Sequence, residues 1–125
     1  MIAAKILVVD DTPSNVKLLA DVLGAKGYAV VTAASGADAL EVVERERPAL
    51  ILMDIHLPGI DGIEALRRLR ADAGTRDIPV LAVTASAMTH DRQKILAAGF
   101  DGYQTKPINL REFLAAVDAA VGGRR

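Results

Sequence analysis

Apolar and polar residues fall along this chain in two kinds of block. Short unbroken apolar runs occur at Ile6-Leu7-Val8-Val9, Leu50-Ile51-Leu52-Met53 and Val80-Leu81-Ala82-Val83. Continuous runs of this length suit strands covered on both faces. Helical spacing fills the gaps. Thr12 and Pro13 open a first helix reaching about Lys26, with Val16, Leu19, Ala20 and Leu23 on one face. Gly27 is placed to stop it in a left-handed conformation. Residues 28–33 read as a flanking strand. Ser35 opens a second helix, with Leu40 and Val43 inward, Glu41, Glu44, Arg45 and Glu46 outward, and Pro48 past its end. A third strand spans 49–54. Asp61 and Glu64 have capping-box spacing before a third helix whose buried stripe is Ile63, Leu66 and Leu69. A fourth strand spans 78–84.

The last third is weaker. Residues 89–94 are polar, and a fourth helix there has few apolar anchors, chiefly Met88, Ile95 and Leu96, before Gly99. So thin a stripe predicts a helix that is short, mobile or turned toward a partner. Residues 101–105 read as an edge strand. Asn109 and Glu112 cap a fifth helix with Leu110, Phe113, Leu114, Val117 and Val121 on one face. Alternation of strand and helix with right-handed crossovers predicts an α/β fold, a five-stranded parallel doubly wound sheet in the order 2-1-3-4-5. Residues 1–121 form one domain and 122–125 a flexible tail. Residues 122–125 could begin a linker, but Met1 followed at once by a strand favours a free-standing protein.

Composition narrows the function. With 125 residues, 51% of them hydrophobic, the chain can bury a core without staples. There is no cysteine, hence no disulfide framework and no thiolate site. A formal net charge of −1 with both signs interspersed leaves no basic stripe for nucleic acid. No apolar run approaches the ~20 residues that cross a bilayer, and the start lacks a signal peptide's core. The expectation is a cytoplasmic protein.

The strand ends carry the chemistry. The first run ends on Asp10-Asp11, the third strand on Asp54 and the fourth on Thr84; Gly102-Tyr103-Gln104-Thr105 leads into Lys106-Pro107. In parallel strands these ends share one edge, where open α/β sheets build their sites. Three carboxylates, a hydroxyl and an ammonium converging there suit a divalent cation and a phosphoryl group.

These residues together resemble the receiver domain of two-component response regulators, and the likeness spans essentially the whole chain. It rests on Asp10-Asp11, on Asp54 with Pro58 and Gly62 in Asp-Ile-His-Leu-Pro-Gly-Ile-Asp-Gly, on Thr84-Ala85 and on Lys106-Pro107. The stretch Val83 to Met88 looks especially like stand-alone cell-division-type regulators and hybrid-kinase receivers, and the chain as a whole also resembles stand-alone chemotaxis-type regulators. The resemblance implies a flavodoxin-like (βα)5 receiver fold and a phosphorylation switch, not an enzyme acting on an external substrate. Asp54 would be the phosphoacceptor. Asp11, Asp54 and the backbone carbonyl of His56 would hold Mg²⁺, with Asp10 acting mostly through water; oxygen-only ligands with retained waters suit that ion. Thr84, the backbone beside small Ala85, and Lys106 would meet the phosphoryl oxygens. Pro107, Pro58 and Gly62 would shape turns, with Pro107 aiming the lysine inward. His56 and Ser86 stand where the lifetime of the acyl phosphate is tuned.

Each residue also has a plain structural reading. Asp10-Asp11 can cap the first helix while binding a cation. Lys106 alone would pass for an exposed edge lysine. Tyr103 is either the family's switch aromatic or an exposed edge tyrosine. Neither His56 nor His90 has a partner at zinc spacing. The implied partners are a sensor histidine kinase or a histidine phosphotransfer protein, and a downstream protein target reached through the fourth helix, fifth strand and fifth helix. The protein would be a monomer or a weak phosphorylation-dependent dimer. A magnesium-dependent phosphohydrolase is disfavoured, because its second aspartate would stand two residues after the first and Thr12 stands there. A receiver fold used only for docking usually lacks one of these positions, and all are present here. No phosphate-binding glycine loop occurs.

Overall fold

The computed structural model describes residues 4–55, 57, 59–84, 89–105 and 108–122; for 89–92 it describes the backbone alone. Five strands alternate with five helices: β1 Lys5–Val9, α1 Pro13–Ala25, β2 Ala29–Ala33, α2 Gly36–Glu46, β3 Leu50–Asp54, α3 Gly62–Ala71, β4 Val80–Thr84, α4 Thr89–Ala97, β5 Gly102–Thr105 and α5 Leu110–Gly122. The strands form one parallel sheet in the order β2-β1-β3-β4-β5, as the alternation predicts.

Successive strand residues point to opposite faces, so each run feeds two cores. Leu7, Val9, Ile51 and Met53 pack with Val43 of α2, Leu66 and Leu69 of α3 and Ile95 of α4. Ile6, Val8, Leu50, Leu52, Leu81 and Val83 pack with Leu19 and Leu23 of α1 and with Phe113 and Val117 of α5. Every residue of β3 and β4 is buried. Two layers of helices on a sandwiched sheet thus account for the unbroken apolar runs.

The helix signals hold with local revisions. Ser35 and Asp61 accept from the Asp38 and Glu64 amides. Glu64, however, does not close a capping box; it pairs with Arg67 and Arg68 one turn on, where two cations outcompete one backbone amide. Gly27 and Gly99 take positive φ (94° and 109°) at helix ends, as expected. Leu40 and Ile63 are only half-buried, and the small residues Ala39 and Ala65 share the inner faces of α2 and α3. Leu96 and Leu110, expected as anchors, are exposed at 47% each. Met88 lies outside the described residues. Gly122, expected in the tail, closes α5; residues 123–125 lie outside the described residues.

Candidate functional site at the carboxyl ends of the strands

β1 and β3 are neighbours, with Val9 paired to Met53, so the residues that follow, Asp10 and Asp54, come side by side at the sheet edge. Asp54 in turn pairs with Val83, which places Thr84 one step further along the same edge. Asp10, Asp54 and Thr84 are buried, at 2%, 6% and 1% exposure, while Asp11 faces solvent.

One carboxylate oxygen from each of Asp10, Asp11 and Asp54 lies within 4.8 Å of the other two. Carboxylates gathered this closely repel one another unless positive charge compensates. An oxygen-only set of this kind fits a hard divalent cation such as Mg²⁺. A groove of about 300 Å³, lined in part by Asp10, Asp11, Lys17 and Ala33, opens beside the cluster.

Asp10 also opens the first helix. Its Oδ1 accepts from the Thr12 amide at 2.9 Å and its Oδ2 from Asn15 Nδ2 at 3.4 Å, while the Thr12 side chain makes no capping bond to α1. A carboxylate at the start of α1 also complements the helix dipole. Asn15, at the third position of the helix, was not singled out from sequence; a polar side chain five residues after Asp10 in a first turn is the signal that could have found it.

Tyr103 is half-buried on β5, paired with Ala82 and packed against the core beneath α2, α3 and α4. Gly62 is not a turn residue. It is the first residue of α3, its amide donates to the Ile55 carbonyl at 3.0 Å, and a Cβ there would stand 2.5 Å from the Asp54 carbonyl oxygen. Close approach, not a turn, requires glycine. The turn is made at Gly59, at φ 70°. His56, Pro58, Ala85, Ser86, Lys106 and Pro107 lie outside the described residues.

Comparison with known proteins gives this edge a context. Over 117 residues the chain is 38% identical to a polar-differentiation response regulator, DivK, of Brucella anthropi, covering 94% of this chain and 95% of that one. The receiver domain of the sensor histidine kinase PA1611 of Pseudomonas aeruginosa, solved with a magnesium ion coordinated in its active site cleft, is 36% identical with a TM-score of 0.89, over 97% of this chain and 99% of that one. A response regulator assigned in Chloroflexus aurantiacus has a TM-score of 0.93 at 31% identity, over 97% and 99%. Residues 6–118 match the response regulator receiver domain, and the chain belongs to that family.

Proposed function

We propose that this receiver domain is switched by transfer of a phosphoryl group to Asp54 from a phosphohistidine of a sensor kinase or a histidine phosphotransfer protein. The observation that carries the reading is the gathering of Asp10, Asp11 and Asp54 within 4.8 Å beside buried Thr84. A carboxylate oxygen of Asp54 forms the new O–P bond; the P–N bond breaks and its electron pair stays on the donor imidazole. Asp11, Asp54 and the His56 carbonyl would hold Mg²⁺, with Asp10 behind. Bound there, the ion supplies positive charge against the phosphoryl oxygens. Thr84, the backbone at Ala85, and Lys106 serve as donors to those oxygens. Fixed positioning of these groups accounts for most of the acceleration such transfers need.

Buried Thr84, one step past the residue paired with Asp54, gives the switch a lever: a turn of its side chain toward the phosphate leaves room for Tyr103 to rotate inward and alter the α4-β5-α5 surface. Output then passes to a downstream protein, from a monomer or a weak dimer. His56 and Ser86 tune the phosphoryl lifetime, and Pro58 and Pro107 shape the adjoining turns. Residues 1–121 act as one receiver unit, in the cytoplasm; among the described residues no helix is long and apolar enough to cross a membrane.

Intact mass after incubation with acetyl phosphate tests this. The wild type gains one phosphoryl group only with Mg²⁺, and Asp54→Asn gains none while keeping its fold. Labelling of Asp54→Asn would place the acceptor elsewhere. Failure of the wild type to label, with a beryllium fluoride analogue also failing to perturb Tyr103, would leave a docking scaffold.

A further inference from the structure

Two glycines of identical placement flank the acceptor's loop. Gly36 and Gly62 are each the first residue of a helix, each buried, and each pressed onto another segment's backbone. A Cβ at Gly62 would stand 2.5 Å from the Asp54 carbonyl oxygen and 3.0 Å from Ile55 Cα. A Cβ at Gly36 would stand 2.5 Å from the Ile60 carbonyl oxygen and 3.2 Å from Ile60 Cβ. Between the two contacts there is one residue, Asp61, held by its own capping bond to the Glu64 amide. The contacts therefore form a chain: α2 seats Ile60, Ile60 fixes the start of α3, and Gly62 rests on Asp54 itself. Ile60 is half-buried and packs against the core shared by α2 and α3.

The geometry points to Gly36 as a positioning residue for phosphoryl transfer, acting through Ile60 and Gly62 on the backbone of Asp54. This rests on the reading of Asp54 as acceptor. Carbon and oxygen do not approach to 2.5 Å, so a side chain at position 36 requires the start of α2 and the Ile60 backbone to move apart. Displacement at Ile60 is passed to Gly62, whose amide is bonded to Ile55. Transfer rates are sensitive to shifts of this size when nucleophile and cation must both be in place.

The test compares Gly36→Ala with Gly24→Ala, a helical glycine with nothing within 4 Å of its added Cβ. Acetyl phosphate labelling with Mg²⁺ should slow by roughly ten- to a hundredfold in Gly36→Ala and stay unchanged in Gly24→Ala. The amide resonances of Ile55 and Gly62 should shift in Gly36→Ala, which a purely local defect would not cause. Wild-type labelling by a folded Gly36→Ala, or shifts that stop at Ile60, would overturn the proposal. Should Gly36→Ala not fold, Ile60→Ala loosens the same seat while leaving Gly36 in place; labelling at the wild-type rate there would overturn it equally. An unlabelled wild type would instead defeat the reading of Asp54, and the amide shifts would still decide whether the two contacts are connected.

Discussion

β3 and β5 are both parallel strands of the same sheet, yet they live in different surroundings. All five residues of β3 are buried, whereas all four of β5 are half-buried. β3 lies between β1 and β4, while β5 pairs on one side only and is flanked by α4, the least amphipathic helix, whose Leu96 is exposed. The acceptor candidate sits on the first and the switch candidate on the second. A reacting carboxylate needs fixed surroundings; a surface that reports its state must have more than one arrangement within reach. Under the proposed function, strands of unequal enclosure within one sheet would meet both demands.

The comparison breaks most visibly through the core. Ile51→Ala, at a fully buried β3 position, should cost about 2–5 kcal/mol. Leu96→Ala, half-exposed on α4, should cost under about 1 kcal/mol. Denaturant midpoints of the two variants measure the difference directly. Similar losses would mean that α4 is as firmly held as the sheet centre.

A smaller effect is expected where β5 begins. The Asp101 carboxylate accepts from the Val80 amide at 2.8 Å and from Arg70 at 2.9 Å. The Asp101 amide returns a bond to the Val80 carbonyl. Arg70 also reaches the Ile78 carbonyl at 2.7 Å and the Arg76 carbonyl at 2.9 Å. This knot sets the start of β5 at the end of the sheet remote from the acidic cluster. Asp101→Ala should cost about 1–2 kcal/mol, nearly all from the orphaned Val80 amide, since half-exposed ion pairs contribute little. The readout is amide exchange, which should quicken across β5 and leave β3 protected. Equal quickening in β3 would show that the two strands open as one unit.

What was legible in the sequence follows the same division. The runs ending at Asp10, Asp54 and Thr84 declare strands because burial on both faces leaves no room for polar residues, and parallel order then brings their ends together. Legibility fell where a residue's task depends on distant backbone. Nothing adjacent to Gly36 indicates Ile60, and Gly62 reads as a turn until the Asp54 carbonyl is found against it. Leu96 and Leu110 have the right spacing for anchors but stand where helices meet solvent, because periodicity reports a face and not what covers it.

The other sheet edge offers the mildest test. Tyr28, just before β2, donates its hydroxyl to the Asp118 carboxylate on α5. Burial, then that hydrogen bond and the Asp118 charge, push its pKa from 10.0 up to about 12. The folded protein therefore holds the phenolic proton more tightly than the unfolded chain does. The stabilisation is complete below pH 10 and is lost as pH rises from there toward about 12. Tyr28→Phe removes the titrating group, so the gap in unfolding midpoint between wild type and variant should narrow across that window. Lysines and arginines titrate in the same range but are common to both proteins and cancel in the difference. A gap independent of pH would mean that the hydroxyl is solvated as in the unfolded chain and that α5 is held on this side by apolar packing, chiefly of buried Phe113 and Val117.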